Sequence, residues 1–316
     1  MNLQTQIPLK PQQHNQLDYH SEVVLIGSCF SENIGNKLSY YKFKTLQNPF
    51  GILFHPKAIE KIVNNAINQK EYNEQDIFFQ NERWHNFDAH SSLSSPNKNE
   101  LLNNLNKAVN TTSKQLKTAS HIIITLGTSW VYRFIESDTI VANCHKIPQK
   151  KFLKEILSVE KISESIDAIN SLIKSINKNA SIIYTVSPVR HIKDGFIENQ
   201  RSKAHLLTAI HAIIEPRDKT YYFPSYEIMM DELRDYRFYT EDMVHPNTTA
   251  INYIWEKFTQ NWFTNDSLQT MNQIDVIQKG LAHRSFNPNS EAHQKFLVNL
   301  QEKIKTLKNK HNHISF

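Results

Sequence analysis

Four short apolar runs, separated by longer amphipathic stretches, constrain this chain more than any other feature. They are 22–27 (EVVLIG), 121–126 (HIIITL), 181–186 (SIIYTV) and 220–223 (TYYF), and small or turn-forming residues follow each one. Runs of four to six apolar, largely β-branched or aromatic residues read as buried strands. A weaker fifth run, 42–46, alternates like a half-exposed strand and ends in Gln47-Asn48-Pro49-Phe50-Gly51. Helical spacing follows from Ser31 to about 41, then at 55–67, 97–118, 159–177, 199–214, 227–233 and 248–263. Strands alternating with helices predict a parallel sheet covered on both faces, an α/β class fold. In such folds ligands bind beyond the carboxyl ends of the strands.

Glycine marks those ends. Only 6 occur in 316 residues, and Gly27, Gly51 and Gly127 each close a strand-like run. A scarce glycine at a strand end points to a place that tolerates no side chain. The first such end reads Gly27-Ser28-Cys29-Phe30-Ser31-Glu32-Asn33 and opens a helix with Ile34, Leu38 and Tyr41 on one face. A nucleophile there would meet unpaired helix N–H groups and a positive local field. Ser28 and Cys29 are both candidates.

Acyl transfer also needs a base, a group orienting it and donors for an oxyanion. Asp242-Met243-Val244-His245 is the only Asp-x-x-His spacing in the chain and sits before Pro246 and the last core helix. A carboxylate there can fix the imidazole tautomer. Gly51 and the Gly127-Thr128-Ser129 turn are candidate oxyanion donors, and Arg190 and His191 follow the third strand as candidate substrate contacts. Trp84, Phe87, Trp130 and Tyr132 are candidate cleft walls, although aromatics near strand ends more often simply pack. His85, Asp88 and His90 are too loosely spaced for a convincing metal site. Arg201 and Lys203 read as solvated, or as partners of Glu232 and Asp235.

Gly27-Ser28-Cys29-Phe30-Ser31 resembles the motif naming the GSCFA domain family, itself placed within the SGNH (GDSL-type) hydrolases. Asn48-Pro49-Phe50-Gly51, Ala142-Asn143-Cys144-His145-Lys146, Ser187-Pro188-Val189-Arg190-His191, Gln200-Arg201-Ser202-Lys203, Tyr236-Arg237-Phe238-Tyr239 and Asp242-Met243-Val244-His245-Pro246 are similar to the same pattern. The resemblance runs from about residue 5 to 260. It implies a three-layer α/β/α sandwich with a five-stranded parallel sheet, of SGNH or flavodoxin-like type. It also implies an esterase or acyltransferase in which Cys29 attacks, His245 moves the proton and Asp242 orients His245. Ser28, Gly51, Ser129, Arg190 and His191 fall at oxyanion or substrate-binding positions. Two departures stand out: Cys29 occupies the usual serine position, and Ser129 replaces an asparagine.

The expected organisation is an irregular segment at 1–21, a GSCFA/SGNH-like domain at 22–264 with an inserted lid at about 70–100, and a helical appendage at 265–316. No metal or organic cofactor is implied, and the expected partner is a small-molecule or carbohydrate ester, such as an O-acetyl sugar. A catalytically silent carbohydrate- or ligand-binding module on the same fold is the alternative. Scattered basic residues, 36 Lys+Arg against 31 Asp+Glu, argue against nucleic acid. No window matches a membrane helix, and the first residues lack a signal-peptide pattern, so the expectation is a cytoplasmic protein. Two cysteines, Cys29 and Cys144, make no disulfide framework.

Overall fold

A computed structural model describes residues 5–316; of the segment expected to be irregular, 1–4 lie outside the described residues. The strands are β1 (Glu22–Gly27), β2 (Lys44–Gln47), β3 (Phe78–Gln80), β4 (Arg83–His85), β5 (His121–Leu126), β6 (Trp130–Phe134), β7 (Thr139–Val141), β8 (Phe152–Ile156), β9 (Ser181–Val186) and β10 (Thr220–Tyr222). The helices are α1 (Cys29–Tyr40), α2 (Pro56–Ile67), α3 (Lys98–Thr118), α4 (Val159–Ile176), α5 (Phe196–Ile213), α6 (Ser225–Glu227, continued by a π-helical turn over Ile228–Glu232), α7 (Thr248–Trp262), α8 (Asn265–Ala282) and α9 (Glu291–Lys310).

The five strands anticipated from apolar runs form one sheet in the order β2-β1-β5-β9-β10. Every pairing in it is parallel. The sheet separates two cores because side chains alternate along each strand. Val24, Ile26, Ile122, Ile124, Ile182 and Tyr184 face a core shared with α2, α3, α4 and α5. Val23, Leu25, Ile123 and Ile183 face the other, built with α1, α7, α8 and α9. The result is the expected helix–sheet–helix sandwich.

Residues 265–316 carry α8 and α9, and the apolar stripe of the two helices is not left exposed. Met271, Ile274, Ile277, Leu300, Ile304 and Leu307 are buried in the same core as α1 and α7. Residues 5–21 are irregular but anchored, with Leu17 N–H donating to Trp262 O at 2.7 Å.

Two excursions stand at the carboxyl-end side of the sheet. Residues 70–100 carry the β3–β4 hairpin and two 3₁₀ turns. His90 N–H donates to Phe50 O at 2.9 Å, just past β2. Residues 130–156 form a three-stranded antiparallel sheet, β7-β6-β8. Chain order is broken between β1 and β5, where β2 lies on one side and the remaining strands on the other. That break is the switch point at which open parallel sheets leave a crevice.

Candidate active site

The end of β1 is shaped by a close approach. Gly27 has φ +148°, and a Cβ there would lie 2.3 Å from Thr125 O on β5. Ser28 N–H donates to that same carbonyl at 3.1 Å. Ser28 then caps α1, its Oγ accepting from Phe30 N–H at 3.2 Å. Ser31 Oγ donates to Thr125 Oγ1 at 2.8 Å, so the first turn of α1 is held over the switch point. Cys29, the first helical residue, is half-buried, whereas Ser28 is buried and engaged.

The Cys29 thiol is pushed up from its usual value, chiefly by burial and then by the Glu32 carboxylate one turn along. The backbone N–H groups of Cys29 and Phe30, and the Lys203 ammonium, pull the other way without prevailing. A helix N-terminus alone predicts an acidified thiol. Desolvation outweighs it here.

On the loop before α7, Asp242 and His245 form a pair. His245 Nδ1 and Asp242 Oδ2 are 2.7 Å apart, while Asp242 Oδ1 accepts from the N–H groups of Val244 (2.8 Å) and His245 (3.0 Å) and from Thr240 Oγ1 (2.6 Å). Those donors, Thr240 first, hold the Asp242 carboxyl well below the usual carboxylate range. With a carboxylate at Nδ1, the favoured tautomer leaves Nε2 unprotonated. His245 Nε2 makes no hydrogen bond among the described residues, and the side chain is about half exposed. The loop is tied to the end of β9, since Arg190 N–H donates to Val244 O at 3.1 Å.

Between the two lie groups that sequence reasoning missed or misplaced. Lys203 is not a solvated or ion-paired side chain. It is 1% exposed, and its Nζ donates to Gly127 O and Ser187 O, both at 2.7 Å, joining the ends of β5 and β9. Burial brings it down to about 7, opposed by the Cys29 thiol. Glu232 pairs instead with Lys257, and Asp235 with Arg237. Helical periodicity could have flagged Lys203, which falls in line with Asn199, Leu206 and Ile210, all buried.

His191 is brought down to about 3, first by burial and then by the Lys203 and His245 charges, so its ring is neutral. Its Nε2 is buried and unpartnered, and a Cβ on Gly127 would stand 2.9 Å from it. Asn48 Oδ1 accepts from Gly27 N–H at 2.9 Å, leaving the buried Asn48 Nδ2 without an acceptor. Arg190, by contrast, stacks over the Tyr239 ring at 4.1 Å and near Tyr236 at 5.3 Å.

A family model described as the GSCFA family matches residues 22–258. The chain belongs to the GSCFA family. A second model, the GSCFA domain protein C-terminal domain, matches residues 274–316, which cover the second half of α8 and all of α9. No curated protein matches the chain.

The remaining GSCFA positions are occupied structurally. Gly51, φ +75°, donates its N–H to Asn48 O at 2.7 Å, and a Cβ on it would strike His90 Cβ at 2.5 Å. Ser129 is fully buried, with its N–H and Oγ both on Ser202 Oγ, at 2.8 and 3.1 Å. Neither offers a donor to the crevice. The GSCFA turn at Gly127 is likewise committed, because Gly127 N–H and Thr128 N–H both donate to Phe54 O. Among the described residues no group of three or more His, Cys, Asp or Glu is placed to hold a metal. His85 bonds Ser94 Oγ, Asp88 pairs with Lys61 at 2.6 Å, and His90 bonds Ser92 Oγ. Among the described residues no helix is long and apolar enough to cross a membrane.

Proposed function

We propose that this GSCFA protein is an SGNH-type esterase or acyltransferase with Cys29 as nucleophile, His245 as base and Asp242 as its orienting group. The observation that carries the reading is the Asp242–His245 pair at 2.7 Å, on a loop tied just beyond β9 by Arg190 N–H donating to Val244 O. His245 Nε2 takes the thiol proton as sulfur bonds to the acyl carbon. The C–O bond then breaks, and the same proton passes to the departing alkoxide. Water, or an acceptor alcohol, gives its proton to His245 and attacks the thioester, returning Cys29 to the thiol. The Cys29 N–H, in the first turn of α1, is one donor for the oxyanion. Asn48 Nδ2, buried and unpartnered beside Gly27, is a second in place of Gly51 and Ser129. The substrate class is a small-molecule or carbohydrate ester, and the compartment proposed is the cytoplasm.

The raised Cys29 thiol and the engaged Gly51 and Ser129 donors favour a second reading, a catalytically silent ligand-binding module. Hydrolysis of p-nitrophenyl acetate decides between them. The esterase reading expects turnover that resists chelator and vanishes in His245→Ala. Turnover that is absent, or equal in wild type and His245→Ala, supports the binding module.

A further inference from the structure

A cleft of about 420 Å³ lies on the small antiparallel sheet, beside the crevice and outside the Cys29–His245 machinery. Trp130 and Tyr132 of β6, Phe152 of β8 and Phe54 line it. Its polar lining is His55, Asn143, Cys144, Lys146, Gln149 and Lys193. No carboxylate lines it.

The aromatics are presented deliberately by the strand geometry. Trp130 and Tyr132 are two residues apart on β6 and share a face. Trp130 is held by Nε1–H donating to Glu198 O at 3.4 Å. Lys154 lies over both rings, at 4.8 and 5.8 Å, but its charge is already neutralised by Asp194. Lys146 and Lys193 differ: neither makes an ion pair among the described residues. The Lys146 backbone, at φ +60°, follows His145 at φ +48°, so two successive left-handed residues turn the chain here. The neighbouring His145 is buried, with Nε2 against Asn86 O at 2.8 Å, which anchors that turn.

The cleft also shares a wall with the proposed active site. Phe54 lines the cleft, its carbonyl accepts from Gly127 N–H at 2.7 Å, and its ring lies 5.7 Å from that of His191. Lys193 follows His191 by two residues.

We infer that this cleft binds a flat-faced ring bearing a carboxylate or phosphate, the ring lying on Trp130 and Tyr132 and its anion meeting Lys146 and Lys193. The inference rests on the ester-cleaving reading only for its role, as the subsite for the part of the substrate remote from the reacting carbonyl. Stacking on the aromatic faces supplies contact area, and the two lysines select charge.

Calorimetric titration of the Cys29→Ala protein, in which turnover cannot intervene, tests binding separately from catalysis. The probes are glucuronate, benzoate and neutral methyl glucoside. At least one anionic ring binds roughly 5- to 10-fold tighter than the neutral one, the factor expected of about 1 kcal/mol from partly exposed charges. The Lys146→Gln/Lys193→Gln double variant loses that margin, and Trp130→Ala weakens all ring binding. Glucuronate binding more tightly than benzoate identifies a sugar ring, and the reverse order an aromatic one. Equal affinity for charged and neutral rings, an unchanged double variant, or no heat from any probe overturns the proposal. A failure of p-nitrophenyl acetate turnover with charge-selective binding intact would count against the esterase alone.

Discussion

The Lys203 ammonium donates to the Gly127 carbonyl at 2.7 Å from a position with almost no solvent contact. A second bond, to Ser187 O, makes this side chain a clamp across the ends of β5 and β9. Lys203→Met keeps the bulk but leaves two buried carbonyls unpaired, at about 1–3 kcal/mol for each. The expected outcome is a lowered urea midpoint. Lys203 also carries a pH signature. Its folded value, about 7, lies below the ordinary 10.5, so the unfolded chain binds more protons between them. Its contribution therefore makes stability rise with pH above about 7. The difference between wild type and Lys203→Met, followed by urea unfolding from pH 7 to 9, isolates that rise. A constant difference across the range would mean that Lys203 keeps its proton.

Imidazoles shielded from water act in the acid range. His191 is brought down to about 3 and His55 and His145 to about 4, each mainly by burial. Between those values and the ordinary 6.5 the unfolded chain binds protons that the folded chain refuses. Their stabilisation is complete above about 6.5 and is lost as pH falls toward 4. Thermal scans should show Tm falling across that window, and less steeply in His145→Gln. An unchanged slope in that variant would remove His145 from the acid response.

Asp242 is exposed, so Asp242→Asn should fold normally. The amide cannot accept from Nδ1–H as a carboxylate does, and the imidazole loses its tautomer. Turnover of p-nitrophenyl acetate should drop by roughly 10²- to 10⁴-fold. Circular dichroism and kcat together check it, and wild-type kcat in the variant would release Asp242 from the mechanism.

Cys29 and Ser28 separate cleanly by what each touches. Ser28→Ala removes the Oγ that accepts from Phe30 N–H and should cost about 1 kcal/mol as a lost helix cap, with most turnover kept. Cys29→Ala should be inactive, and Cys29→Ser weakly active. Iodoacetamide should label Cys29 before Cys144, because burial pushes Cys144 up to about 11. The Cys29 rate should climb only above the usual thiol range, since its own value is also raised. An inactive Ser28→Ala beside an active Cys29→Ala would reverse the assignment.

The centre of the sheet was legible in the chain because β1, β5 and β9 are buried on both faces. Ile122, Ile123 and Ile124 all have to be apolar, whichever face they meet, and the run announces itself. The Cys29 turn and the Asp242–His245 pair were legible too, since short-range spacing sets both. Asp242 reaches its partner across three residues, with no help from distant chain.

Other features belong to the tertiary structure alone. Whether Ser129 offers a free donor depends on Ser202 Oγ, which lies 73 residues beyond it. Helical period places Lys203 in line with buried residues, but it becomes a clamp only because α5 lays it over the ends of β5 and β9. The acidity of Cys29 was decided the same way. Its place at a helix N-terminus and the Glu32 charge one turn along are local, but the burial that outweighs the helix field comes from how the finished fold closes around it. By itself, the sequence determined which segments form the strands and which residues follow the strand ends, because hydrophobic period and short-range spacing carry that information. Hydrogen-bond allegiance and desolvation are sums over neighbours brought together from the whole chain, and only the assembled structure decides them.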